Sequence, residues 1–151
     1  LNTQNKIKKQ LINVRATCHS LRLLTDHKSF KFLPQKLIIP LQRLSKITLE
    51  KLKNVKKLDF GIEVRNNIFK FNNTSAIIPN SLAISYALAI ANSGKAKKIY
   101  LAGFDGYDAE DPRRIEMDQT LSLYQSIKNK IEIISVTPTK YKIRSSSVYA
   151  L

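Results

Sequence analysis

Asp105 has the surroundings best suited to chemistry. It stands in the run Gly103-Phe104-Asp105-Gly106-Tyr107, directly after the short apolar segment Ile99–Ala102. The two glycines leave room for a ligand to reach the backbone and permit positive φ. A carboxylate at a strand's carboxyl end can accept hydrogen bonds from sugar or ribose hydroxyls, as acidic residues do in dinucleotide folds. The same carboxylate could instead bond neighbouring amides and only shape the turn; residue types leave both readings open. Asn80-Ser81 precede a long apolar run, where free N–H groups and the helix dipole favour an anion, although a plain helix cap uses the same residues. Thr137 and Thr139 supply hydroxyls after another apolar run. Arg22 and His19 follow the first strand, His19 being the one weak candidate for a catalytic base. The candidate ligand-binding set is therefore Arg22, Asn80, Ser81, Gly103, Asp105, Gly106, Tyr107, Thr137 and Thr139.

Other chemistries lack their residues. Asp105, Asp108 and Asp111 have a spacing that suggests calcium, but the remaining ligands and the closing glutamate of an EF-hand are missing, so no built-in metal is expected. No glycine-rich phosphate loop, HExxH, paired CxxC or GxSxG is present. Arg113 and Arg114, among acids, are expected to pair with them at the surface.

These residues need elements to hold them. Residues 4–10 are polar and basic. Leu11–Cys18 reads as a strand, Asp26 as the cap of a short helix through Phe32, and Lys36–Ile39 as a continuous apolar strand of the kind covered on both faces. Thr48–Asn54 is an expected helix with Leu49 and Leu52 inward, and its lysines, with Lys56 and Lys57, are expected to be solvated. Lys57–Val64 and Ile68–Phe71 read as strands around Asn66-Asn67, predicting a hairpin there. From the cap Asn80-Ser81 a helix apolar on nearly all faces runs to Gly94 and is expected to be buried. Asp111-Pro112 opens another helix, with aspartate at the cap and proline in the first turn. Its Met117, Leu121 and Tyr124 recur at helical spacing, as a core stripe does. Ile131–Val136 then completes a βαβ unit with Ile99–Ala102, so the hydroxyls of Thr137 and Thr139 are expected at the same sheet edge as Asp105. The whole reads as one α/β domain over residues 1–151.

Composition narrows the class. Hydrophobic residues make up 43% of 151, enough for a real core. The single cysteine, Cys18, excludes an internal disulfide framework and fits a reducing, cytoplasmic compartment. No apolar run reaches membrane-spanning length. The net charge is +15, and residues 1–57 hold 14 Lys and Arg against only Asp26 and Glu50. Six acids, by contrast, fall between residues 105 and 118. A positive surface beside an acidic loop favours an anionic small molecule, such as a sugar acid or nucleotide sugar, or simply keeps the surface solvated. The basic half lacks a nucleic-acid motif and a stacking pattern of aromatics, so a nucleic-acid partner is not expected.

Two stretches, PNSLAISYALAIANSGKAKKIYLAGFDGYDAEDPR and SVTPTKYKIRSSSVY, carry a family resemblance. They resemble the Rossmann-like C-terminal domain that follows an aldolase-type barrel (4-hydroxy-2-oxovalerate aldolase-like) in bacterial lipopolysaccharide and surface-polysaccharide biosynthesis proteins. More distantly, residues 81–108 are similar to bacterial sialyltransferases and to Rossmann-like proteins related to archaeal pterin pyrophosphokinases. The resemblance implies a three-layer α/β fold with a mostly parallel sheet. It also implies a C-terminal fragment of a longer protein, in keeping with the opening Leu1-Asn2-Thr3, whose partner is the aldolase-like domain of the same protein. The expected role is sugar or nucleotide-sugar binding without a cofactor of its own, catalysis belonging to the aldolase domain. A sialyltransferase- or nucleotidyltransferase-like enzyme domain is the alternative, but that reading expects a histidine beyond the Gly-x-Asp turn, and His19 and His27 both precede it. A basic nucleic-acid-binding domain is the second alternative.

Overall fold

A computed structural model describes residues 12–31 and 34–150. The predicted polar segment 4–10, Leu11 and Phe32 lie outside the described residues. The first part alternates strand and helix: β1 (Val14–Ala16), α1 (Ser20–Thr25), α2 (His27–Lys31), β2 (Lys36–Ile39), α3 (Lys46–Lys51) and β3 (Lys57–Asp59). β1, β2 and β3 pair in that order, all parallel. β2 shows why its sequence is an unbroken apolar run. Leu37 and Ile39 face one core with Leu23, Phe30, Leu44, Leu52 and Val55, while Ile38 faces the other with Cys18 and Phe60. A central parallel strand is buried on both sides, and no polar alternation survives.

At Phe60 the chain changes partner. The Phe60 amide still donates to the Ile39 carbonyl (3.2 Å), but the Gly61 amide donates to the Thr74 carbonyl (2.9 Å). The predicted single strand Lys57–Val64 is thus two, β3 and β4 (Gly61–Val64). The hairpin expected at Asn66-Asn67 does not form there. β4 and β5 (Lys70–Phe71) both pair with β6 (Ser75–Ile78), β4 in parallel and β5 antiparallel. The hairpin is β5–β6, and its turn is organised by Asn72, whose Oδ1 accepts from the amides of Thr74 (2.9 Å) and Ser75 (2.8 Å). Both turns contain an Asn-Asn pair; the second adds a threonine and serine that serve the asparagine as donors, and so closes the ladder.

α4 (Ala83–Ser93) crosses from β6 to β7 (Ile99–Leu101), and α5 (Pro112–Ser126) from β7 to β8 (Ile133–Ser135). β7, β8 and β9 (Arg144–Ser145) pair in parallel, so the expected βαβ unit is present. β9, inside the polar tail, was not legible as a strand. Asp111 caps α5 as predicted, its carboxylate accepting from the Arg113 amide at 2.9 Å, with Pro112 as the first helical residue. Met117, Leu121 and Tyr124 are buried, as their spacing required.

Three local expectations are corrected. α3 begins after Ser45, whose hydroxyl accepts from the Thr48 amide (3.2 Å), and Thr48 is buried instead of opening the helix. Lys57 is not merely solvated: its ammonium donates to the carbonyls of Leu52, Lys53 and Val55 and closes the end of α3. α4 is buried through Ile84, Tyr86, Leu88 and Ala89, but Ala83 and Ala87 are exposed, so one stripe stays open. Gly94 does end α4, yet at φ −77°; the left-handed residue is Lys95, at φ 53°.

In the described residues of the basic half, α1, α2 and α3 cover a second hydrophobic core, and the one side-chain ion pair is Lys53–Glu50. If this charge only keeps the surface solvated, oligonucleotides should bind weakly and dissociate as salt rises, because counterion release dominates non-specific contacts. Filter binding across a salt series checks this; sequence-selective binding that survives physiological salt would contradict it. No helix among the described residues is long and apolar enough to cross a membrane.

Candidate functional site

The loops that follow β7 and β8 are laced together by their backbones. The Val136 amide donates to the Leu101 carbonyl (2.9 Å), the Gly103 amide to the Thr137 hydroxyl (3.0 Å), and the Lys140 amide to the Asp105 carbonyl (2.8 Å). The Tyr107 amide reaches the Tyr141 hydroxyl at 3.3 Å. Gly103 (φ 68°) and Gly106 (φ 103°) take the left-handed turns this path needs. A Cβ at Gly106 would come within 2.9 Å of Lys140 Cβ, whereas one at Gly103 would meet nothing within 4 Å.

The loops enclose a pocket of about 320 Å³ lined by Gly103, Phe104, Asp105, Gly106, Tyr107, Met117 and Tyr141. Phe104 and Tyr141 pack with ring centroids 5.2 Å apart. Asp105 is the one charged residue in this lining, and its carboxylate is exposed with no hydrogen-bond or ion-pair partner among the described residues. Its neighbours are committed. Lys140 pairs with Asp108 and holds that carboxyl below its ordinary range. Arg113 binds Asp111 at 2.6 Å, lowering the Asp111 pKa in the same way, and lies 4.4 Å from the centre of the Tyr107 ring. Arg114 pairs with Asp118 at 3.6 Å. Surface pairing of both arginines was the expectation.

Asp105 therefore does not shape its turn through its side chain. The backbone carbonyl does that, and the carboxylate is left for something else. The pocket combines an aromatic wall with one acceptor group, which suits the apolar face and hydroxyls of a sugar or nucleoside. Among the described residues no three His, Cys, Asp or Glu side chains gather to hold a metal ion.

Of the candidates, Gly103, Asp105, Gly106 and Tyr107 come together in this pocket. Thr137 and Thr139 brace its rim: Thr137 receives the Gly103 amide, and Thr139 the Tyr141 amide at 3.2 Å. They share the edge, as expected, but do not line the cavity. Asn80 and Ser81 lie elsewhere, and neither caps α4. The N-cap is Leu82; Asn80 Oδ1 accepts from the Ser85 hydroxyl (2.7 Å) and Leu82 amide (3.4 Å), and the Ser81 carbonyl accepts from the Cys18 thiol (3.2 Å). No side chain caps the first amides of α4. Burial raises the Cys18 pKa. His19 precedes α1 and Arg22 sits within it, after a different strand, and neither lines the pocket. Phe104, Met117 and Tyr141 were not anticipated as lining. Tyr141 carried a legible signal, an aromatic two residues after Thr139 in an otherwise polar tail.

A scan against family models and searches of curated proteins and solved structures found no match for this chain.

Proposed function

We propose that this chain is a sugar- or nucleotide-sugar-binding domain, and that the ligand's hydroxyl-bearing part docks on Asp105 between Phe104, Tyr107 and Tyr141. The observation that carries the reading is the exposed Asp105 carboxylate, without a partner among the described residues, at an aromatic pocket. Charge-assisted hydrogen bonds from hydroxyls would satisfy it, each stronger than a neutral bond. Position supports the same reading, because open α/β sheets bind ligands beyond the carboxyl ends of their strands. The parallel order β1–β2–β3 and the β7–α5–β8 unit agree with a Rossmann-like three-layer arrangement, which is part of the proposal.

The sequence resemblance extends this to an accessory domain of a cytoplasmic lipopolysaccharide or surface-polysaccharide biosynthesis enzyme of aldolase type. Its ligand would be a sugar acid or nucleotide sugar, and its partner the aldolase-like domain of the same protein. A thermal-shift screen of nucleotides, nucleotide sugars, free sugars and short oligonucleotides tests the reading. Nucleotide sugars or sugars should raise the melting temperature; stabilisation by oligonucleotides alone would overturn the proposal.

A catalytic consequence follows. A barrel aldolase assembles its site from loops at eight strand ends, and this chain's two histidines, His19 and His27, both lie outside the pocket. The purified chain should release no pyruvate from 4-hydroxy-2-oxo acids in a coupled assay. Measurable release would contradict its role as a binding domain.

A further inference from the structure

A second polar cleft lies beyond the carboxyl ends of the parallel strands β4 and β6. It measures about 290 Å³, and its walls include Asn66, Asn67, Glu116 and Gln119. Its floor is rigid. Asn80 Nδ2 donates to the Thr120 hydroxyl at 2.6 Å, and that hydroxyl donates to the Glu116 carbonyl at 2.8 Å. The Ile68 amide closes the Arg65–Ile68 turn on the Arg65 carbonyl (3.2 Å), with Asn67 at φ 60°. Asparagine tolerates that left-handed conformation, and both Asn66 and Asn67 of this turn line the cleft.

The wall groups are exposed to solvent, and the side chains of Asn66, Asn67, Glu116 and Gln119 have no protein partner among the described residues. A carboxamide offers two donors and an acceptor, and a hydroxyl both donates and accepts. Three carboxamides and a carboxylate are therefore matched to adjacent hydroxyls. Charge sharpens the selection. In a chain of net charge +15, this lining contains no lysine or arginine and a single negative group, Glu116. Phosphates and carboxylates find no counter-charge there.

We infer that this cleft is a carbohydrate subsite for a neutral, hydroxyl-rich sugar, separate from the Asp105 pocket. α5 divides the two, presenting Glu116 and Gln119 to the cleft and Met117 to the pocket. The subsite does not depend on the role of Asp105.

The test is a titration followed by the side-chain amide resonances of Asn66, Asn67 and Gln119 in ¹⁵N-correlated NMR. The probes are the methyl glycosides of glucose, galactose and mannose, with methyl glucuronide as the anionic counterpart. At least one neutral glycoside should shift these resonances saturably. Asn66→Ala and Gln119→Ala should each weaken binding roughly 2- to 10-fold, the worth of one hydrogen bond. Asp105→Asn should leave it unchanged. Methyl glucuronide should bind more weakly than the neutral glycosides, and Glu116→Gln should narrow that difference, a response a merely structural Glu116 would not produce. The inference is overturned if no glycoside shifts these resonances, if only the Phe104–Tyr107 loop responds, or if the unaltered protein takes the glucuronide as well as the neutral sugars.

Discussion

Tyr124→Ala is expected to be among the most damaging single substitutions in this protein, costing about 3–5 kcal/mol, the range for deleting a large buried aromatic. Tyr124 is fully buried, and its ring stands edge-on to Phe69 with centroids 5.5 Å apart. Its hydroxyl joins three elements. It accepts from Asn92 Nδ2 of α4 (2.7 Å) and from the Ile131 amide (3.1 Å), and donates to the Ile131 carbonyl (2.8 Å) just before β8. Tyr124→Phe isolates the polar part. The ring remains, the Ile131 amide keeps Asn92 Oδ1 (3.1 Å), and the Ile131 carbonyl loses its side-chain donor. Ile131 is only half-buried, so that variant should cost about 0.5–1.5 kcal/mol, the net worth of a hydrogen bond. Denaturant titration reads both. At roughly 2–4 °C of melting temperature per kcal/mol for a chain of this size, the two should also separate clearly by calorimetry. Equal stability of Tyr124→Phe and the parent would show that the network carries no net weight.

Gly106→Ala should be the costliest change within the site itself. Two effects add at this position. The backbone at φ 103° lies where side chains are strained, at about 1–3 kcal/mol. The new methyl would also stand 2.9 Å from Lys140 Cβ and 3.4 Å from the Lys140 amide nitrogen. That amide is the donor to the Asp105 carbonyl, so relieving the clash would loosen the bond joining the two loops. Gly103→Ala is the comparison. At φ 68° with open space around it, alanine there should cost only the conformational part. Melting temperatures should fall for both, further for Gly106→Ala; the reverse order would contradict the close packing of the loops.

Legibility in the sequence followed the range of the interactions. β2 was readable because both of its faces are buried, which leaves an unbroken apolar run. The start of α5 was readable because Asp111 and Pro112 act within one turn. The Asp105 turn was visible through its two glycines. What depended on partners far along the chain was not visible. The strand through Phe60 splits because Gly61 finds Thr74, and no local signal at Phe60 announces this. Asn80 looked like a cap, but its carboxamide is taken by Ser85 and by Thr120, 40 residues away. The aromatic wall of the pocket also escaped, since Tyr141 reaches it only when the loops after β7 and β8 close on each other. Whether Asp105 shaped its turn or stood free could not be decided from residue type. That required seeing Lys140 bond the backbone carbonyl and leave the carboxylate alone.

Asp105→Asn tests the central claim most directly. The substitution keeps the size of an exposed side chain that holds no bond among the described residues, so unliganded stability should stay within about 0.5 kcal/mol of the parent, as for ordinary surface changes. Affinity should not survive so well. The measurement is calorimetric titration of both proteins with the nucleotide sugar or sugar that most raises the parent's melting temperature. Loss of a charge-assisted hydrogen bond is worth about 1.5–3 kcal/mol, roughly 10- to 150-fold in Kd, and that weakening with an intact fold is the predicted result. An Asp105→Asn protein that folds normally and binds the ligand as tightly as the parent would remove Asp105 from the site and contradict the account.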